Sequence, residues 1–166
     1  MRFSFLTLHV SLLLAMSSAF AGSAAPAFED CAVPPESGPS PGRPPHLKLS
    51  DPKARRYASA LQEGATQAIN FAGHYILTTW GCGAGCLMAA AIDARSGQVA
   101  MLPFTVSDWP LSVSEPLSYR KDSCLLGVQG RRNEQAPGAY FYRFDGKRFR
   151  VWEPSRPTPS SGEAAS

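Results

Sequence analysis

Two apolar runs meet at a short glycine-rich loop in Gly73-His74-Tyr75-Ile76-Leu77-Thr78-Thr79-Trp80-Gly81-Cys82-Gly83-Ala84-Gly85-Cys86, which continues directly into Leu87-Met88-Ala89-Ala90-Ala91-Ile92-Asp93. Three glycines of the loop alternate with Cys82, Ala84 and Cys86, and glycine tolerates the positive φ that a sharp turn needs. We therefore predict a β-hairpin whose loop holds two sulfur atoms close together.

The residues after this hairpin are also predicted to form strands separated by short turns. Ala94-Arg95-Ser96-Gly97 predicts one turn, and Asp145-Gly146 predicts a tight two-residue turn in the last hairpin. The segment 103–116 contains three prolines and is expected to be irregular. The predicted strands cover about residues 73–80, 87–93, 98–102, 117–121, 124–130, 139–144 and 147–152.

A single helix is predicted ahead of the strands, over about residues 52–66. Ser50-Asp51-Pro52 supplies an N-cap followed by proline at the first helical position, and apolar residues then recur at helical spacing. The predicted fold class is α+β, with a single antiparallel β-sheet meander of about 6–7 strands and one N-terminal helix packed on one face. The small residues Ala89-Ala90-Ala91 would let that helix approach the sheet.

The ends of the chain differ in composition from the middle. Arg2, an apolar run and the ending Ala19-Phe20-Ala21 predict a cleaved signal peptide over residues 1–21, and hence a periplasmic or secreted protein. Proline, serine and glycine predict a disordered arm over 22–45 and a disordered tail over 154–166. The folded domain is then residues 46–153, in which no segment is long enough to span a membrane.

Four cysteines in an exported chain most simply form two disulfides, although three connectivities remain open. We favour Cys82–Cys86, which would close the glycine loop. The second bond would then be Cys31–Cys124, which would attach the proline-rich arm to the sheet.

The same loop defines a candidate loop site, made of His74, Trp80, Gly83, Ala84 and Gly85 with the two cysteines. A metal could use His74 as a further ligand, but one C-x3-C pair is not a zinc signature. A thiol-redox pair normally stands as C-x-x-C at the start of a helix, whereas this motif joins two strands. A structural disulfide is the favoured interpretation, and no cofactor is expected.

A cluster of arginines in the last hairpin defines a candidate binding surface. If Asp145-Gly146 is the turn, Arg143 faces Arg148 and Tyr142 faces Phe149, with Tyr142 and Phe149 in the core and facing the helix. The opposite surface carries the candidate binding residues, in which like charges oppose each other. These residues are Phe141, Arg143, Arg148, Arg150 and Trp152. Arginine stems lying on aromatic rings in solvent would explain the pattern equally well.

No catalytic motif of a hydrolase, metalloprotease or nucleotide-binding enzyme is present, so we expect a protein that is not an enzyme. The net charge of +3 does not by itself indicate an acidic partner, and no nucleic-acid partner is expected.

The runs Phe71-Ala72-Gly73-His74-Tyr75 and Trp80-Gly81-Cys82-Gly83-Ala84-Gly85-Cys86 carry a resemblance to small exported bacterial proteins of unknown function that share F-A-G-x-Y and W-G-C-G-x-x-C. This resemblance covers about residues 50–152 and implies a related fold but no activity. A fainter likeness is to the periplasmic inhibitor of vertebrate lysozyme, whose cysteine-closed loop carries a histidine that this loop lacks.

Two classes of function follow from these residues. The first is a noncatalytic binding or interaction module of the cell envelope, with an envelope or extracellular protein as partner. The second is a small metal-binding or thiol-redox protein that uses His74, Cys82 and Cys86. A lysozyme-inhibitor-like protein is a further alternative.

Overall fold

The computed structural model describes residues 25–34, 46–133 and 135–153. Within these ranges the chain has an α+β fold dominated by an eight-stranded antiparallel sheet. The strands are β1 (Tyr75–Gly83), β2 (Cys86–Asp93), β3 (Val99–Met101), β4 (Val106–Ser107), β5 (Leu117–Tyr119), β6 (Leu125–Arg132), β7 (Pro137–Phe144) and β8 (Phe149–Val151). The predicted signal peptide, residues 1–21, and the predicted tail, 154–166, lie outside the described residues.

The opening stretch of sequence forms the β1–β2 hairpin. Tyr75 pairs with Asp93 at its base, and Gly83 pairs with Cys86 at its tip. The register shifts between Gly81 and Gly83, so that Cys82 is the extra residue of a β-bulge. Local turn chemistry and apolar runs were therefore sufficient to predict this element.

The sheet is not the simple meander of 6–7 strands that the sequence predicts. Its order is β1-β2-β4-β6-β7-β8, with β3 also beside β2 and β5 also beside β6. The unpredicted strand β4 pairs with Cys86–Leu87 on one side and with Arg131–Arg132 on the other. A strand of two residues is too short to show an alternating pattern. Its pairing partners are also distant in sequence, so no local signal predicts it.

The predicted helix over 52–66 is two helices, α1 (Pro52–Arg56) and α2 (Ala58–Gly64). Asp51 caps α1, since its side chain accepts a hydrogen bond from the N–H of Lys53 at 2.7 Å. Tyr57 separates the helices at φ −109° and ψ 27°, and its ring packs 5.5 Å from that of Trp80. This tertiary contact interrupts a pattern that is locally compatible with one helix. Neither helix is at the N-terminal end of the described chain, because residues 25–34 precede both.

Alternate residues of the hairpin enter two separate hydrophobic clusters. Ile76, Ala90 and Ile92 pack with the helices, whose Leu61 is fully buried. Residues of the other parity enter a larger cluster that also contains residues of β4 to β8, and they are Leu77, Ala89 and Ala91. Of the three consecutive alanines expected to face a helix, only Ala90 does so.

Residues 25–34 belong to the segment predicted as a disordered arm, and they form an ordered 3₁₀ turn, Phe28–Cys31. Ala32 makes an antiparallel bridge with Ser123, and the buried Ser123 hydroxyl donates a hydrogen bond to the carbonyl of Phe28 at 2.7 Å. The Cα atoms of Cys31 and Cys124 lie 5.3 Å apart in a disulfide. This part of the arm is thereby fixed to the start of β6.

No helix among the described residues is long and apolar enough to cross a membrane.

Candidate functional site

The tip of the β1–β2 hairpin is a disulfide-closed loop open to solvent. The Cα atoms of Cys82 and Cys86 are 5.1 Å apart, and these cysteines pair with each other as favoured from the sequence. Gly83 and Gly85 have φ values of +139° and +61°, and a Cβ atom at either position would meet no other atom within 4 Å. Gly83, Ala84 and Gly85 are exposed, so the tip presents backbone and one methyl group rather than a reactive side chain.

His74 lies at the other end of the hairpin from the cysteines. It precedes the Tyr75–Asp93 pair, whereas the Gly83–Cys86 pair closes the tip, and eight residues of strand rise span about 26 Å. Its ring packs 4.4 Å from that of Tyr75, and its Nε2 is 3.9 Å from the Asp93 carboxylate. The structure therefore does not bring His74, Cys82 and Cys86 together.

The side chain of Asp93 stabilises the turn that follows β2 by accepting hydrogen bonds. Burial alone would raise the pKa of its carboxyl, but the N–H groups of Ser96 and Arg95 donate hydrogen bonds to it, and His74 lies nearby. The result is a pKa below the ordinary 3.8. No group of three or more histidines, cysteines or acids able to hold a metal occurs among the described residues.

Trp80, the remaining member of the predicted loop site, belongs to the helix side of the sheet. Its half-buried ring packs against Tyr57 and against the smaller cluster, which contains residues of the helices. Trp80 therefore packs with the helices and is not part of a site at the loop tip. Its indole N–H has no hydrogen-bond partner among the described residues.

The arginine hairpin has a different register from the predicted one. Arg143 pairs with Arg150 rather than with Arg148, and Phe144 pairs with Phe149. The central turn residues are Gly146 and Lys147 instead of Asp145 and Gly146, because the N–H of Asp145 donates to the carbonyl of Arg148. Gly146 adopts the positive φ of +87° that the first central position of a type II′ turn requires.

The side chain of Asp145 sets this register. Its carboxylate accepts the backbone N–H groups of Lys147 and Arg148, each at 2.9 Å, and the Nε–H of Arg150 at 2.7 Å. The hydrogen bond from Arg150 lowers the pKa of Asp145 to about 2. The preference of Asp-Gly for a tight turn takes no account of side-chain hydrogen bonds such as these. The turn predicted from that dipeptide therefore lies one residue before the observed one.

Because the shift preserves strand parity, the two faces of the hairpin remain as predicted. Tyr142 and Phe149 are buried, while Arg143 and Arg150 lie on the opposite face. The buried pair faces the larger cluster and not the helices. Val151, which strand alternation places on the same face as Phe149, is nevertheless 64% exposed at the end of β8.

A cleft of about 820 Å³ lies between this arginine face and residues 25–34. Arg143, Arg150 and Trp152 line one side, and Glu29 and Asp30 line the other beside the Cys31–Cys124 disulfide. We call it the arginine cleft. Of the five predicted surface residues, three line it, whereas Arg148 is in the turn and Phe141 packs near Gly127. The sequence analysis did not predict the wall formed by Glu29 and Asp30. The favoured Cys31–Cys124 disulfide could have located it, because these acids directly precede Cys31.

Some charged side chains of the arginine cleft have ion-pair partners, and others do not. Arg150 is bonded to Asp145, and Glu29 accepts a hydrogen bond from Arg120 at 2.9 Å. The Arg143 guanidinium is exposed and has no carboxylate within ion-pair distance among residues 25–34, 46–133 and 135–153. Of the two arginines that line the cleft, Arg143 is therefore the one without an ion-pair partner in the described part of the chain.

No family model matches this chain, and no curated protein or solved structure matches it either.

Proposed function

We propose that this protein is an exported, noncatalytic binding module of the cell envelope, and that the arginine cleft is its contact site. The observation that carries the proposal is that Arg143, which has no ion-pair partner among the described residues, lines the same cleft as the half-buried Trp152. An unpaired guanidinium beside an aromatic ring is suited to bind a planar carboxylate and the apolar group next to it.

The partner we propose is an envelope or extracellular protein that presents an acidic side chain or a chain terminus. Arg143 would bind the carboxylate, and Trp152 would cover the adjoining apolar atoms. The opposite wall carries Glu29 and Asp30, so a partner segment with a hydrogen-bond donor or basic group next to its carboxylate fits best. Like charges on that wall would disfavour a uniformly acidic partner.

Export is supported by the N-terminal pattern of residues 1–21 and by the pairing of all four cysteines. Disulfides of this kind persist in oxidising compartments. Expression of the full chain and N-terminal sequencing of the product tests this part, and a product that retains residues 1–21 would contradict it.

The contact site is tested by comparing two charge reversals in the same hairpin. A partner captured by cross-linking from an envelope fraction is purified, and its affinity for the full chain is measured. Arg143→Glu should weaken binding at least about tenfold, since a charge pair becomes a repulsion. Arg148→Glu is the matched control, because Arg148 lies in the turn outside the cleft, and it should retain binding.

Equal losses in the two variants would mean that general charge, rather than the cleft, determines binding. Full binding by Arg143→Glu would also contradict the proposal. Melting temperatures of both variants should stay near that of the parent, because exposed charges contribute little to stability.

A further inference from the structure

A second cleft, of about 430 Å³, opens between β3 and the turn of the last hairpin. Its volume lies within the range of small-molecule sites, which is roughly 300–1,000 Å³. It shares no lining residue with the arginine cleft, and we call it the alanine cleft.

The floor of the alanine cleft is made of small apolar side chains. Ala91 of β2 pairs directly with Ala100 of β3, and both contribute to the larger hydrophobic cluster. Protein cores normally fill such space with larger side chains. Here Ala91 is covered by the rest of the cluster and is 1% exposed, whereas Ala100 is half-buried and lines the open space.

One wall of the cleft is held by a bond between distant parts of the chain. The Tyr75 hydroxyl donates a hydrogen bond to the carbonyl of Gly146 at 3.2 Å. This bond links β1 to the last turn and keeps the tyrosine ring upright beside the alanine floor. The cleft is thus bounded by a fixed wall and is not a gap between independent loops.

Two lysines line the opening from different segments. The backbone N–H of Lys48 donates to the carbonyl of Gly97, and that of Lys147 donates to Asp145, which fixes where each side chain begins. Neither ammonium group has a carboxylate within ion-pair distance in the described part of the chain. Asp93 and Asp145, whose charges act on Tyr75, already accept hydrogen bonds from their own turns.

We propose that the alanine cleft binds a free single-chain amphiphile with an anionic head, of the medium-chain carboxylate type. The chain would lie on Ala100 and the Tyr75 ring, and the carboxylate would lie between the two lysines. A volume of this size favours one chain rather than the two chains of a bilayer lipid.

Calorimetric titration of the full chain with hexanoate, heptanoate and octanoate tests the proposal. Each added methylene buries apolar surface and should raise the affinity about fourfold. Octylammonium, with the same chain and the opposite charge, should bind at least about tenfold more weakly than octanoate.

Variants test the contribution of the two lysines and that of the apolar surface separately. Lys48→Glu/Lys147→Glu should weaken octanoate binding at least about tenfold, whereas Lys53→Glu on the exposed face of α1 should not. Ala100→Phe should abolish binding by filling the space. If Ala100→Phe does not fold, the lysine variants still decide the matter, because both lysines are exposed.

The proposal would be overturned by octanoate affinities that do not depend on chain length, or by equal binding of octylammonium. It would also be overturned by full binding in the double lysine variant. Binding to vesicles of anionic phospholipid without binding of free octanoate would identify a membrane-surface contact instead.

Discussion

Arg143 lies directly across from Arg150 on neighbouring strands, and of the two, Arg150 alone has a carboxylate partner among the described residues. Asp145 holds Arg150 through a 2.7 Å hydrogen bond, whereas Arg143 extends into the arginine cleft without one. The repulsion between opposed like charges is thus reduced on one side by a carboxylate from the turn. The same carboxylate fixes the turn, and it leaves Arg143 available for the partner that we propose.

The pairing of Asp145 predicts a pH-dependent contribution to stability. Folding lowers its pKa from 3.8 to about 2, so the contribution is complete above the unfolded value and is lost as the pH falls towards the folded one. Asp145→Asn should therefore be less stable than the parent at about pH 6, with the difference narrowing towards about pH 2. Denaturant unfolding of both proteins across this range measures it.

Arg150→Gln is the companion variant, because it removes the main cause of the lowered pKa. Its stability should depend less on pH in the same window. A difference between parent and Asp145→Asn that stays constant over the window would contradict the assignment.

Phe149→Ala should destabilise the protein by about 3–5 kcal/mol. The Phe149 ring is 7% exposed and packs 4.9 Å from that of Phe144 and 6.2 Å from that of Phe71. Val151→Ala on the same strand is the control, because Val151 is exposed, and it should change stability by less than about 0.5 kcal/mol. Thermal or chemical melts compare the two, and similar effects would show that the register is wrong.

Gly64→Ala should destabilise the protein by about 1–3 kcal/mol, although alanine is normally the better helix former. A Cβ atom at Gly64 would lie 2.3 Å from the Thr78 hydroxyl oxygen and 2.5 Å from its Cβ. Thr78 is buried and β-branched, so it has little freedom to move away. Ser59→Ala, at an exposed position of α2, should be nearly neutral, and a stabilised Gly64→Ala would show that α2 does not approach β1 so closely.

The two disulfides should contribute unequally to stability. Loop-closure entropy gives about 2 kcal/mol for Cys82–Cys86 and about 4.7 kcal/mol for Cys31–Cys124, whose sequence separation is 93. Paired Cys→Ser variants, melted side by side, compare them. Thiol titration of the denatured parent should find no free thiol, and a larger loss from the short loop would contradict the order.

The sequence predicted the elements whose causes are local. Glycines that tolerate positive φ, next to two apolar runs, determine the β1–β2 hairpin. Period-2 alternation places Tyr142 and Phe149 in the core and the arginines outside. Apolar or alternating runs bounded by turn residues also located seven of the eight strands.

Contacts between distant segments were not predictable in the same way. Strand β4 exists because Val106 and Ser107 fill the space between β2 and β6, and two residues carry no pattern of their own. The break at Tyr57 follows from its contact with Trp80. The arginine pairing follows from a side-chain bond of Asp145 that turn preferences do not include.

The sequence by itself determined the hairpin, the alternation of faces and the residue types available for binding, because these depend on backbone freedom and spacing within a few residues. Only the tertiary structure decided which of those residues meet. It separated His74 from the cysteines and set Arg143 against an acidic wall from residues 25–34. It also left Ala100 only half-buried beside the turn of the last hairpin, because the segments that meet there are far apart in the chain.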